Sequence, residues 1–150
     1  MEIHAFLQRA GLALATVLSA ALSFDAAAAI SELPRERVSG TASYVSGGVS
    51  DEAAKAFESA FRGYPLVVKL FEHDGVRDIY TADARVTITD RQGKTVLDDR
   101  ADGPFMLVRL PAGDYRVAAT LNGHALPPHG VHVTEHGHAS STFVFPAGTD

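Results

Sequence analysis

From Tyr64 onward, apolar residues recur at every second position in short runs, and turn residues break the runs about every 8–12 positions. A strand sends successive side chains to opposite faces, so this alternation describes strands that are half-buried on a core. Seven runs satisfy it, at residues 64–71, 82–89, 94–98, 105–110, 115–121, 130–134 and 140–145. In the second run Ala84, Val86 and Ile88 share one face, with Arg85, Thr87 and Thr89 on the other. In the fifth, Tyr115, Val117, Ala119 and Leu121 lie together. The separators carry turn chemistry: Asp74-Gly75, residues 91–94, Asp102 to Pro104, and Pro111 to Asp114. Strands this short are unstable alone, so two sheets must face one another over a shared core. The expectation is a mainly β protein, an antiparallel sandwich of about seven strands.

Upstream the period changes to that of a helix. Ala53, Phe57, Ala60 and Phe61 make one apolar stripe over residues 51–62. Ser50 stands as its N-cap, Asp51 and Glu52 complement the positive end of its dipole, and Gly63 ends it. Residues 30–49 are polar and rich in Gly and Ser, closing on Ser46-Gly-Gly-Val-Ser50, and read as an arm or linker. Residues 1–29 combine Arg9, an apolar stretch over 11–24 and the small-residue run Ala26 to Ala29, the form of a cleaved secretory leader. The apolar run is shorter than the ~20 residues of a membrane-spanning helix, and no later segment is long and apolar enough. The expected division is therefore 1–29 leader, 30–49 arm, 50–63 helix and 64–147 sandwich. Removing the leader leaves 12 basic and 16 acidic residues and no basic block, which argues against nucleic acid and anionic membranes as partners. The chain has no cysteine, hence no lipidation site, and a domain of this size can build its core without disulfides. A periplasmic or secreted location is expected.

The stretch from Val86 to Leu97, followed by Asp102 to Val117, resembles the carboxypeptidase regulatory-like domains, relatives of the transthyretin-like and Cna-B-type sandwiches. The resemblance rests on the 90–94 turn, the Asp102-Gly103 turn, and then Leu110, Pro111, Gly113, Tyr115 and Val117. It covers residues 64–146 and implies an Ig/transthyretin-like sandwich used as an accessory module. The chain also resembles small exported bacterial proteins that carry this domain alone behind a Ser-Gly-Gly-Val-Ser helix start. The transthyretin-like ureide hydrolases end in Tyr-Arg-Gly-Ser, which this chain lacks, so their activity is not implied. A Cna-B isopeptide bond needs an asparagine beside a lysine. The only asparagine, Asn122, lies in a loop, and Lys69 and Lys94 are not evidently inward-facing.

One catalytic pattern needs weighing. His132 to His136 fits H-x-x-E-H, in which two histidines on one helix face bind zinc and a glutamate acts as base. Pro127, Pro128, Gly130 and Gly137 oppose a helix here, and Val131, Val133 and Thr134 favour a strand. On a strand His132 and His136 stand about 13 Å apart and cannot share one ion. What remains is a histidine-rich last hairpin in which His132, Glu135, His136 and His138 can hold Cu, Ni or Zn loosely. The acidic turns 98–103 and 72–75 read as structural turns first, with calcium binding at the former and a His–carboxylate pair at the latter as alternatives. There is no G-x-S-x-G elbow and no phosphate-cradling glycine loop. The reading is a non-enzymatic exported module, without a cofactor, whose partner is an envelope protein or a glycan. Metal binding at the last hairpin is the alternative.

Overall fold

The computed structural model describes residues 32–150; the expected leader, residues 1–29, lies outside them. The chain runs β1 (Arg37–Ser39), β2 (Ala42–Gly47), α1 (Asp51–Ala60), a 3-10 turn (Phe61–Gly63), β3 (Leu66–His73), β4 (Asp78–Tyr80) and β5 (Arg85–Asp90). It continues β6 (Thr95–Arg100), β7 (Phe105–Arg109), β8 (Gly113–Leu121), β9 (His124–Ala125), β10 (His129–Val133) and β11 (Ala139–Phe145). Sheet I has the order β1-β2-β7-β3-β11, with β4 also on β3. Sheet II has the order β10-β8-β5-β6, with β9 also on β8. The fold is a β-sandwich with one short helix. All seven expected runs are strands, and four others (β1, β2, β4 and β9) bring the described total to eleven.

Two of the additional strands correct the reading of residues 30–49 as an arm. Tyr44 of β2 is fully buried between the sheets, and β2 pairs with β7 through Tyr44↔Val108. Its composition hid it because both of its faces are covered. Ala42 and Tyr44 face the core while Val45 lies under α1, so the segment does not alternate.

Helix α1 begins as its sequence predicts. The Ser50 hydroxyl accepts the Ala53 N–H at 3.2 Å, capping a first turn that carries Asp51 and Glu52. Phe57 is the anchor; with Ala54 it packs on Val45, Val67, Phe105 and Leu107 of sheet I. Three layers result: helix, sheet I, sheet II. Strands β3 and β7 are accordingly buried on both faces over much of their length. The chain enters the helix through Gly48, at φ +95°, where a Cβ would stand 2.6 Å from the Phe105 ring.

The main core lies between the sheets. Ala84, just before β5, Val86 and Ile88 from β5, and Val117, Ala119 and Leu121 from β8 meet Leu66, Val68, Leu70, Met106 and Val108 from sheet I. Tyr115 closes the turn before β8 by donating its hydroxyl to the Pro111 carbonyl at 2.8 Å. At the β1/β6 side the sandwich is nearly sealed. The Thr41 N–H reaches the Val96 carbonyl at 3.1 Å, and the Ser39 hydroxyl both donates to and accepts from the Asp98 backbone.

The other side corrects the expected all-antiparallel hairpin ending. β10 pairs with β8 in sheet II, whereas β11 pairs parallel with β3 in sheet I, with Ser141↔Val68 and Phe143↔Leu70. Residues 134–138 therefore cross from one sheet to the other. No helix among the described residues is long and apolar enough to cross a membrane.

Candidate functional site

The helix covers much of the outer face of sheet I, which leaves the outer face of sheet II as the broad exposed sheet surface. Register dictates what it displays. Thr89 of β5 stands beside Arg116 of β8, and Arg116 beside Gly130 of β10. One long cationic side chain is thus flanked by a small residue and by none, and a Cβ at Gly130 would meet nothing within 4 Å. The result is a concavity of about 500 Å³, bordered by Asp90, Arg91, Gln92, Asp114 and Arg116. The β5/β6 register shifts between Ile88 and Thr89, where β6 carries one extra residue, Val96.

The β5–β6 turn that forms one wall is held from within. The Asp90 Oδ1 accepts the N–H groups of Gln92 and Lys94, both at 2.9 Å. The Asp90 carbonyl accepts the Gly93 N–H at 3.0 Å, and the Asp90 N–H returns to the Lys94 carbonyl at 2.9 Å. Gly93 supplies the left-handed residue, at φ +79°. Arg91 and Gln92 are therefore presented on a preformed rim. Across from them, Asp114 Oδ1 lies 2.6 Å from His132 Nδ1, and Asp114 Oδ2 is 3.9 Å from Arg91. Arg116 has no ion-pair partner among the described residues. Burial, and then the charge of Asp90, raise the Tyr115 pKa above that of a free phenol; its ring packs on the main core.

His132 is the one proposed metal ligand that belongs to this region, and its Nδ1 is engaged with Asp114. Glu135, His136 and His138 stand, exposed, in the crossing segment, which is an inter-sheet connection and not a hairpin tip. Among the described residues no group of three or more His, Cys, Asp or Glu is placed to hold a metal ion. The segment is strand through Val133 and non-helical beyond it, so the H-x-x-E-H spacing lacks the helix on which it depends. His129, from the same run of histidines, turns inward. Its Nδ1 lies 2.9 Å from the Ser141 hydroxyl and its ring stacks on Phe143 at 4.3 Å, tying the edges of the two sheets together. Ser141 is buried, so this Ser–His pair presents no nucleophile to solvent.

No protein-family model matches the chain, and no curated protein matches it.

The acidic turns are structural. Asp98 takes a two-point contact from Arg85, at 2.8 and 2.7 Å, which holds its carboxyl below the usual range. Asp99 accepts the Tyr44 hydroxyl, and Asp102 pairs with Arg37. Asp98 and Asp99 lie on β6, so the turn begins only at Ala101, and each of the three carboxylates has its own donor. In the 72–75 turn, His73 pairs across the strand with Asp78 at 2.8 Å, while Asp74 accepts the Val76 and Arg77 N–H groups. Glu72 is buried and accepts the N–H groups of Gly148, Thr149 and Asp150 at 2.5, 3.2 and 3.0 Å, which pins the C-terminal segment to the end of β3. This clasp and the concavity were not legible in the sequence, because both depend on register between distant strands.

Proposed function

We propose that the chain is a non-enzymatic, exported accessory module of the cell envelope, built like the carboxypeptidase regulatory-like domains. Its partner, an envelope protein or a glycan, docks at the concavity on the outer face of sheet II. The observation that carries this reading is that a preformed turn and the Arg116 guanidinium border one concavity, with the open position at Gly130 on the other flank of Arg116. Planar, multi-donor side chains such as Arg91, Gln92 and Arg116 suit a ligand rich in hydroxyl, carbonyl or carboxylate oxygens. A binding role is favoured over a hydrolytic one by how the histidines are spent. His132 and His73 are each engaged with a carboxylate at the open surface, and the hydroxyl paired with His129 is buried. The periplasmic or secreted location follows from the form of residues 1–29.

The test is binding of the purified protein to envelope extract separated into glycan and protein fractions, with and without chelator. Two variants serve as controls: Arg116→Ala removes the free cation, and Gly130→Leu fills the open position. The expected result is chelator-insensitive binding to one fraction, lost at least tenfold in both variants while their melting temperatures hold. Binding to neither fraction, or equal binding by all three proteins, overturns the reading.

A further inference from the structure

The four lateral edges of the sandwich are not alike. β6 is capped by the β1–β2 hairpin through Thr41 and Ser39, and it carries Asp98, Asp99 and Arg100. β1 is only three residues long and includes Arg37. β10 follows two prolines and holds His132 against Asp114. These are the ordinary ways of blunting an edge: a cover, a short strand, prolines and charge. β11 has none of them. It is seven residues long, Ala-Ser-Ser-Thr-Phe-Val-Phe, with no charge, proline or glycine, and among the described residues β3 is its only strand partner.

We propose that β11 is a self-association edge, through which two copies of this chain pair antiparallel about a two-fold axis at Thr142. The register follows from the hydrogen bonds already made. The Ala139 N–H goes to the Pro65 carbonyl, so in the parallel ladder the odd-numbered residues face β3. The N–H and C=O groups of Ser140, Thr142 and Val144 then point away from it. An antiparallel partner satisfies them when even residues oppose even residues. The register centred on the strand midpoint sets Thr142 against Thr142 and Ser140 against Val144, giving about six inter-chain hydrogen bonds.

A second copy is the occupant the composition fits. Across a two-fold axis a strand meets itself, so any charge near the centre would meet its like, a destabilising arrangement for directly opposed residues. β11 alone among the longer edges has no charge to repel its copy. The apolar surface at this corner agrees. Val144 and Tyr80 are 38% and 44% exposed, and both flank Phe71 in one cross-strand row of sheet I. The proposal stands independently of any ligand in the concavity on sheet II.

The experiment is sedimentation velocity of the purified protein over about 1 to 500 µM, with Thr142→Lys and Thr142→Glu variants run alone and mixed. Thr142 is exposed, so both substitutions leave the core untouched; unchanged circular dichroism melting verifies this. The expected result is a concentration-dependent wild-type dimer, each variant alone weakened at least tenfold, and dimer restored on mixing Lys with Glu. A wild-type monomer throughout the range overturns the proposal. So does a dimer indifferent to both charges, or two weakened variants that fail to pair with each other; pairing of the edge with an unrelated extended segment while the chain stays monomeric counts equally against it.

Discussion

Replacing Tyr44 with Phe removes one hydroxyl and nothing else, and that hydroxyl is a tie between the two sheets. Tyr44 sits in β2 of sheet I with its ring fully buried, and it donates to Asp99 Oδ2 in β6 of sheet II. A hydrogen bond to a charged group contributes about 1.5–3 kcal/mol. Asp99 is partly exposed and keeps the Arg100 N–H on its other oxygen at 2.8 Å, so water can replace the lost donor. The lower figure, ~1.5 kcal/mol, is therefore expected, or a fall in Tm of roughly 4–7 °C for a domain of this size. The pH dependence is the sharper test. Burial, then the bond to Asp99, push the Tyr44 pKa from 10.0 up to about 12. A raised folded-state pKa stabilises fully below the unfolded value and is lost as pH climbs through the folded one. At about 1.4 kcal/mol per decade, roughly 3 kcal/mol disappears between pH ~10 and ~12. This exceeds the hydroxyl's contribution, so the order inverts: near pH ~11 the two proteins are equally stable, and above it the Phe variant is the more stable. In acid the gap narrows as well. The Tyr44 hydroxyl holds the Asp99 carboxyl below its ordinary value, and stability gained that way is lost as pH falls through the folded-state pKa. Urea midpoints of both proteins across pH read the difference directly, since the other titrations cancel. A gap that stays constant from pH 8 to 12 would refute the argument.

Substitutions at three further positions test the layers and the clasp. Phe57→Ala should cost about 3–5 kcal/mol, because this ring is the buried anchor of α1 on sheet I; chemical denaturation measures it. Gly48→Ala should cost about 1–3 kcal/mol in the same assay, combining left-handed backbone with a Cβ driven into the Phe105 ring. Glu72→Ala strands the three N–H groups of residues 148–150 and should lower stability by about 2–3 kcal/mol, with faster carboxypeptidase trimming of the C-terminal segment. Glu72→Gln, which keeps a carbonyl acceptor, should fall between it and the wild type. Equal trimming in all three would remove the clasp from the account.

The elements legible in the sequence are those whose burial is one-sided. β5 and β8 alternate because one face meets the core and the other meets water, and residues 84, 86 and 88 and 117, 119 and 121 are buried as their spacing indicates. The Ser50 cap and the Asp90–Lys94 turn are local devices and are read from a handful of residues. β2 escaped because Val45 and Tyr44 are both buried, on opposite faces. The pairing of β10 and β11 escaped for a different reason: Ser141, Phe143 and Phe145 face inward whichever sheet the strand joins. A five-residue connection suits a hairpin and a crossing equally, and the parallel ladder of β11 on β3, which the Ala139–Pro65 bond opens, decides between them. The candidate site shows the same limit. His132 is conspicuous in the sequence, yet its partner Asp114 is 18 residues away and becomes a neighbour through the β8–β10 register. Arg116 and Gly130 carry no motif at all, and their importance lies in standing side by side.

The two sheets have divided their obligations. Sheet I is buried under α1 on its outer face, and its central strands β3 and β7 have little freedom to vary without disturbing both cores. Sheet II buries one face only, so its outward positions can change chemistry at small cost to stability. That is where the molecule collects Arg85–Asp98, Arg91–Asp114–His132 and Arg116. The first of these is closed on itself by two short hydrogen bonds, and the second is drawn together around one carboxylate. Arg116 alone among them lacks a counter-charge among the described residues. Its guanidinium stands exposed beside an open glycine position on a rigid strand, and the neighbouring turn is held in place by its own hydrogen bonds.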